Sequence, residues 1–419
     1  MVRKTPAAAR FQPLDGETTV IGQINRYSGA SMASICIVVM IFVNYGGGRY
    51  WFFRHAPWNG LTVADLVFPW FMWIMGASMV FSLRSQIRRS VPKCQIWVRL
   101  VRRAALLFLL GLVVNSGSAQ SGWSAGGLRV PGVLQRFAVC SLVIGTLQLP
   151  ALSAAEPLTQ GWRLAWLRDV TCCWAQWLAV ALLAAAHTAI TLLLPVPGCP
   201  RGYLGPGGLA DGGRFANCTG GAAGYIDRRL FGSHMYHRPT AHRVYDTQLA
   251  YDPEGLLGTL TSCVAVFLGS VAGRLMATCS GAPERLARLA GWALLLCGAG
   301  GALCRFSQEG GPIPVNKNLW SLSFVLALSG LASALLAALH LLVDVLAVWR
   351  GRPFHYAGLN AIVLYLGHEL VGGLFPVSLR SVLPPAGTHA AALLNSLWAA
   401  LVWLLVAWRL YKHGLFIAL

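Results

Sequence analysis

Charge is what this chain has least of. Asp, Glu, Lys and Arg make up 11% of its 419 residues, and only 14 residues are acidic. Soluble domains carry about 25% charged residues, so a chain this poor in charge cannot cover a water-facing surface. Residues 1–27 hold basic side chains but no apolar run of the kind that ends in signal-peptide cleavage. The first apolar stretch is therefore expected to serve as an uncleaved signal. No Gly-x-Ser-x-Gly elbow, phosphate-binding P-loop or dinucleotide fingerprint occurs. The run Arg288-Leu289-Ala290-Gly291-Trp292-Ala293 mimics the coenzyme A loop of soluble N-acetyltransferases, but it opens an apolar stretch rather than a strand-to-helix turn and is set aside. The 11 cysteines are scattered without paired zinc-site spacing, Cys172 and Cys173 being adjacent. No repeat links the two halves of the chain, which weighs against the paired-repeat architecture of many transporters.

Hydrophobic residues, by contrast, make up 56% of the chain. A membrane span needs about 20 mostly apolar residues, and ten stretches approach that: 28–45, 63–83, 103–117, 131–152, 173–196, 255–277, 287–304, 319–343, 354–373 and 392–411. The expected fold is all-α: a polytopic integral membrane protein of about ten transmembrane helices, with residues 1–27 as a cytosolic segment and 28–419 as the membrane domain. The 46 glycines suit helices packed closely in lipid. Lys and Arg set the orientation, because short cytosolic loops carry the excess. With the N-terminus in the cytosol, 20 of them fall on the cytosolic side and six in the short opposite loops. Both termini are thus expected in the cytosol. This placement also accounts for the formal net charge of +19: basic residues at cytosolic membrane edges meet anionic lipid, so membrane lipid rather than nucleic acid is the expected partner.

One connection is long. Residues 198–252 are rich in Gly and turn formers, and the charge bias puts them in the lumen. Asn217-Cys218-Thr219 is a glycosylation sequon there. Cys199 and Cys218 share the loop, where a disulfide is permitted. His234, His237 and His242 follow; their spacing fits either a metal or, in the favoured reading, a polar loop, and no metal is expected.

Polar groups at membrane depth are rare and usually functional. The densest cluster runs from Asn44 to Gly76, with three glycines, interfacial aromatics, His55 beside them and Asp65 about one turn into the second stretch. Asn44, His55 and Asp65 are expected to converge on one lumenal site. Gln135 and Arg136 open the fourth stretch, where Arg136 needs a carboxylate or a phosphate-bearing ligand. Asp252 and Glu254 precede the sixth, either as helix caps or as substrate ligands. Asn316, Lys317 and Trp320 open the eighth, and His368 with Glu369 ends the ninth.

The runs NYGGGRYWFFRHAPWNGLTVADLVFPWF, RVPGVLQR, GCPRGYLGPGG, NCTGGAAGYIDR, AYDPEGLLGT and IPVNKNLWSLS, taken in order, resemble those of the heparan-α-glucosaminide N-acetyltransferase family over about residues 36–419. The resemblance implies a homodimeric lysosomal membrane enzyme that takes acetyl groups from cytosolic acetyl-coenzyme A. It places them on the terminal non-reducing α-glucosamine of heparan sulfate in the lumen. His55 matches the family's catalytic histidine, and Asn44 an asparagine beside it. Asp65 would orient His55, while Arg136 and Lys317 would hold coenzyme A phosphates or substrate sulfates. His55 would act either by attacking the thioester or as a base. Membrane transport, or acyl transfer to another sugar, are the rival readings. The family has a lumenal domain and one more span ahead of this region, and an Asp-x-x-Arg-Gly element where this chain reads Asn25-Arg26-Tyr27-Ser28-Gly29-Ala30. A lumenal cysteine that pairs with that domain in the family is accordingly expected to be left free.

Overall fold

The computed structural model describes residues 3–4, 16–47, 50–116, 128–151, 168–236, 241–279, 281–349, 351–371, 375–376 and 388–417, with only the backbone path given for 3–4, 16–27 and 168–169. Helix dominates. The longer helices are α1 (Gly16–Asn44), α2 (Val63–Arg88), α3 (Lys93–Ser116), α4 (Val133–Gln148), α5 (Trp174–Leu193), α6 (Gly221–Phe231), α7 (Leu256–Thr278), α8 (Ala282–Leu303), α9 (Leu322–Leu339), α10 (His355–Leu359), α11 (Ala361–Val371) and α12 (His389–Lys412). Two strands, Arg3–Lys4 and Leu415–Phe416, pair antiparallel.

Each of the ten apolar stretches holds a helix, α10 and α11 sharing one stretch. Among the described residues, six helical segments are long and apolar enough to cross a membrane: Val63–Arg88, Trp174–Leu193, Leu256–Thr278, Ala282–Leu303, Leu322–Val345 and His389–Lys412. Ser28–Asn44, Val133–Gln148 and Ala361–Val371 are shorter apolar helices. The first half of α3 carries Lys93, Arg99, Arg102 and Arg103, which lowers its hydropathy. The six long helices fit a multi-pass membrane protein.

Helix α7 is the centre of the bundle. Eighteen of its 23 residues are buried, and its apolar side chains join Met72, Trp73, Phe324 and Leu328 in the largest core cluster. It meets α2 backbone to backbone. A Cβ on Gly76 would overlap the Val266 carbonyl, and one on Gly269 would overlap the Trp73 carbonyl. Gly269 and Gly273 form the small-xxx-small spacing that permits such an approach between helices in lipid. Sequence thus acts directly on packing: these glycines fix how α2, which carries Asp65 at its start, sits against α7.

The 198–252 connection is folded. Cys199 and Cys218 form a disulfide, α6 lies within it, and Trp58 donates from Nε1 to the Leu204 carbonyl at 2.7 Å. The loop is thereby fastened to the segment that bears His55.

Candidate active site

The site is built from the loop before α2 and the turn before α9. Helix α2 starts with Thr62-Val63-Ala64-Asp65, a capping-box spacing. Asp65 Oδ2 accepts from the Thr62 amide at 3.2 Å, the Thr62 hydroxyl at 3.0 Å and the Ala56 amide at 3.0 Å. That leaves Oδ1, which His55 Nδ1 reaches at 2.7 Å. Lys317 Nζ lies 3.3 Å from the same oxygen and 3.0 Å from His55 Nδ1. Asp65 is fully buried, whereas the His55 side chain is 39% exposed. A carboxylate fixed by three donors cannot turn away, so it orients the ring: Nδ1 carries its proton toward Asp65 at 2.7 Å, and Nε2 is the nitrogen left for another partner.

The partner turn is clamped to this loop. Asn59 and Asn316 form an antiparallel bridge, and the Gly60 amide donates to Val315 O at 2.9 Å. Asn316 Nδ2 donates to Asn59 Oδ1 at 2.9 Å, while its Oδ1 accepts from the Leu319 amide at 2.8 Å. Ser321 and Ser323 hydroxyls both donate to Pro314 O. The Trp320 carbonyl is held by Thr261 of α7 at 2.7 Å.

Asn44 takes different partners. It ends α1, and its Nδ2 lies 3.0 Å from His368 Nε2 and 3.3 Å from Glu369 Oε1. His368 Nδ1 lies 2.9 Å from Leu364 O, which only an Nδ1–H donor satisfies, so Nε2 accepts from Asn44. The structure therefore joins His55 with Asp65 and Lys317, and Asn44 with His368 and Glu369.

Arg136 is buried, donating from Nη2 to Pro253 O at 3.0 Å and Gly255 O at 2.9 Å. Its guanidinium stacks 4.7 Å from the Trp320 ring centroid. Its Nε and Nη1, and Gln135 Nε2, have no partner among the described residues, while Gln135 Oε1 accepts from Asn115 at 3.4 Å. Asp252 and Glu254 are engaged by Arg129, which is bidentate on Asp252 at 2.7 and 2.8 Å and reaches Glu254 at 2.6 Å. Burial would raise the Asp252 carboxyl, but Arg129 prevails and holds it below the usual range. Burial likewise works to lower the Arg129 guanidinium, and the two acids hold it above its usual value.

Sequence reasoning missed three residues here. Arg129, which lies in a loop ahead of the fourth apolar stretch, carries no sequence mark of its pairing with Asp252. Asp227 of α6 accepts from the Leu256 amide at 3.0 Å and so caps α7 from a distance; burial pushes its carboxyl up to about 6, against that amide bond. Asn59 pairs with a residue 257 positions away. Only the Thr62-x-x-Asp65 spacing offered a local signal.

His234 Nδ1 lies 3.1 Å from Leu128 O, and His242 Nδ1 lies 2.8 Å from Thr247 O; His237 lies outside the described residues. Among the described residues, no group of His, Cys, Asp or Glu could hold a metal. Asn217 is exposed beside the disulfide.

No family model matches the chain. Curated relatives do. A human protein named heparan-alpha-glucosaminide N-acetyltransferase is 44% identical over 391 residues, which is 91% of this chain. The mouse protein of that name is 42% identical over 424 aligned positions, 99% of this chain. Over most of its length the chain is thus similar in sequence to these two proteins. It spans 58% and 63% of those relatives' lengths. The aligned region includes both histidine clusters, so the family likeness and the site geometry fall on the same part of the molecule.

Proposed function

We propose that this chain is a transmembrane N-acetyltransferase. It moves an acetyl group from cytosolic acetyl-coenzyme A to the terminal non-reducing α-glucosamine of heparan sulfate in the lysosomal lumen. The observation that carries the reading is His55: its Nδ1 is committed to a buried carboxylate, and its Nε2 is free on a partly exposed ring. In this reading Nε2 accepts a proton from the glucosamine ammonium. The freed amine attacks the thioester carbonyl, the C–N bond forms as the C–S bond breaks, and coenzyme A leaves as the thiolate, which takes the remaining surplus proton from the amine nitrogen to give the thiol and the neutral amide. Acid–base help of this kind supplies about 10² to 10⁴ in rate.

The other polar groups take supporting places in the same reading. Arg136 and Gln135 offer unbonded N–H groups to an anionic portion of coenzyme A or to a substrate sulfate. Asn44 and His368 border the acceptor. Asp252 and Glu254, engaged by Arg129, support the wall rather than grip the sugar. All ten apolar stretches span the membrane, both termini face the cytosol, and Asn217 carries glycan in the lumen. The chain works as a homodimer.

The deciding experiment adds acetyl-coenzyme A, labelled in the acetyl group, to purified protein with and without glucosamine or heparan fragments. We expect N-acetylglucosamine at the non-reducing end, formed only with an amine acceptor present. Label retained on His55 without acceptor would mark a covalent acetyl-imidazole route. No acceptor-dependent release of coenzyme A, together with uptake of acetyl-coenzyme A into vesicles, would replace the reading with transport.

A further inference from the structure

Two nitrogen groups share one carboxylate oxygen at the site. His55 Nδ1 and Lys317 Nζ approach Asp65 Oδ1 at 2.7 and 3.3 Å, and the two nitrogens stand 3.0 Å apart. Asp65 has no exposed side-chain surface. A buried carboxylate with an imidazole as its sole partner draws that imidazole toward the charged, doubly protonated form, because an opposite charge within about 4–6 Å favours ionisation. A doubly protonated ring has no lone pair with which to accept a proton. Lys317 changes the charge count: its ammonium already balances Asp65, and a second positive charge on the ring would face it at 3.0 Å.

The lysine is held in place for this. Its side chain is 17% exposed, and its neighbour Asn316 is bridged to Asn59, four residues beyond His55. The loop bearing the imidazole and the turn bearing the ammonium are therefore one unit, although 262 positions separate the two residues. The charged groups recorded against the ring are Asp65 from α2 and Lys317 from the turn before α9. The remaining partners of Asp65, the Ala56 amide and the Thr62 amide and hydroxyl, are neutral.

We propose that Lys317 is a positioning residue, which neutralises Asp65 so that the carboxylate orients His55 without protonating it. This goes one step beyond the transfer reading and rests on it for its catalytic meaning. It also departs from the assignment of Lys317 as a grip for phosphate or sulfate, because its ammonium is already spent on Asp65.

The test uses the whole purified chain as wild type, Lys317→Met, Lys317→Gln and Lys317→Arg. Diethyl pyrocarbonate modifies neutral imidazole, so labelling of His55, read by peptide mass spectrometry from about pH 4.5 to 8, reports the proton directly. We expect the labelling midpoint to move up by about one pH unit or more in the Met and Gln variants. The Arg variant, which keeps the charge, should stay near wild type. The acid limb of kcat/KM for glucosamine should move by the same amount, with kcat affected more than KM. An unmoved midpoint in Met and Gln overturns the proposal, as does an equal shift in Arg. A loss confined to KM for sulfated fragments, with labelling unchanged, restores the anion-grip role. Using Met and Gln together covers a failure of either to fold. Labelling needs no turnover, so it decides the place of Lys317 even if acetyl transfer is not the reaction. Unchanged transfer by His55→Ala would sink the catalytic role of His55 without altering the labelling result for Lys317.

Discussion

Two histidines near the 44–65 segment have neighbouring carboxylates and opposite designs. His55 gives Nδ1 to Asp65 and leaves Nε2 without a partner among the described residues, on a ring that is 39% exposed. His368 gives Nδ1 to its own helix at Leu364 O, receives Asn44 at Nε2, and is 1% exposed. The first imidazole has its spare valence turned outward, as proton transfer requires. The second has both nitrogens occupied, as a buried structural polar group requires. The carboxylates differ in the same sense: Asp65 is buried under five donors, Lys317 among them, while Glu369 is 38% exposed at a helix end. A histidine next to an acid is therefore not a mechanism; what distinguishes the two is which nitrogen remains free.

The sharpest way to break that comparison is to remove each ring in turn. His55→Ala should cost at least about a hundredfold in kcat with normal yield and thermal midpoint, since the partly exposed ring leaves no large cavity. His368→Ala should do the reverse. Loss of a buried, doubly bonded side chain should lower stability by about 2–3 kcal/mol, while kcat falls less than about tenfold in the fraction that folds. Thermal shift and steady-state kinetics on both variants check the pair. A well-folded His368→Ala protein as inactive as His55→Ala would erase the distinction.

How much of this was legible in advance follows from how local each signal is. The helices were readable because an apolar stretch depends on its own composition; α7, at Leu256–Thr278 against the apolar stretch 255–277, is the clear case. Asp65 as a helix-start acid was readable from Thr62-x-x-Asp65. The convergence of Asn44, His55 and Asp65 was an expectation about three residues close in sequence, and the structure gives Asn44 hydrogen-bond partners different from those of His55 and Asp65. The reason is geometric. Asn44 ends α1 and points to α11, whereas the loop after it carries His55 across to the turn before α9. Arg129 with Asp252, Asn59 with Asn316 and Asp227 with the Leu256 amide were not readable, because each joins segments from 29 to 257 positions apart. No periodicity encodes such a pairing. The motifs around His55 are local in sequence; only the fold shows that Lys317 shares the Asp65 carboxylate with it.

The same contrast between a shared and an isolated carboxylate recurs at the start of α7, and it supplies the smallest effect. Asp252 shares its charge with Arg129 and sits below the usual carboxylate range. Its contribution to stability is present above about pH 4 and is lost only as pH falls through that lowered value. Asp227 is buried with an amide as its hydrogen-bond donor, and burial lifts it to about 6. Its sign is opposite: the favourable state is the protonated one, complete below about pH 4, and stability drains away as pH rises toward and through 6. A shift of that size is worth up to about 3 kcal/mol, and about 1–2 kcal/mol once water and side chains relax around the charge. Asp227→Asn keeps an oxygen for the Leu256 amide but removes the titration. The thermal midpoint of wild type minus that of Asp227→Asn should therefore fall steadily between about pH 4 and 7, with wild type the less stable at the upper end. A difference that stays flat across this range would mean that the Asp227 carboxylate is solvated in the folded protein, and that α7 is capped without the cost its burial implies.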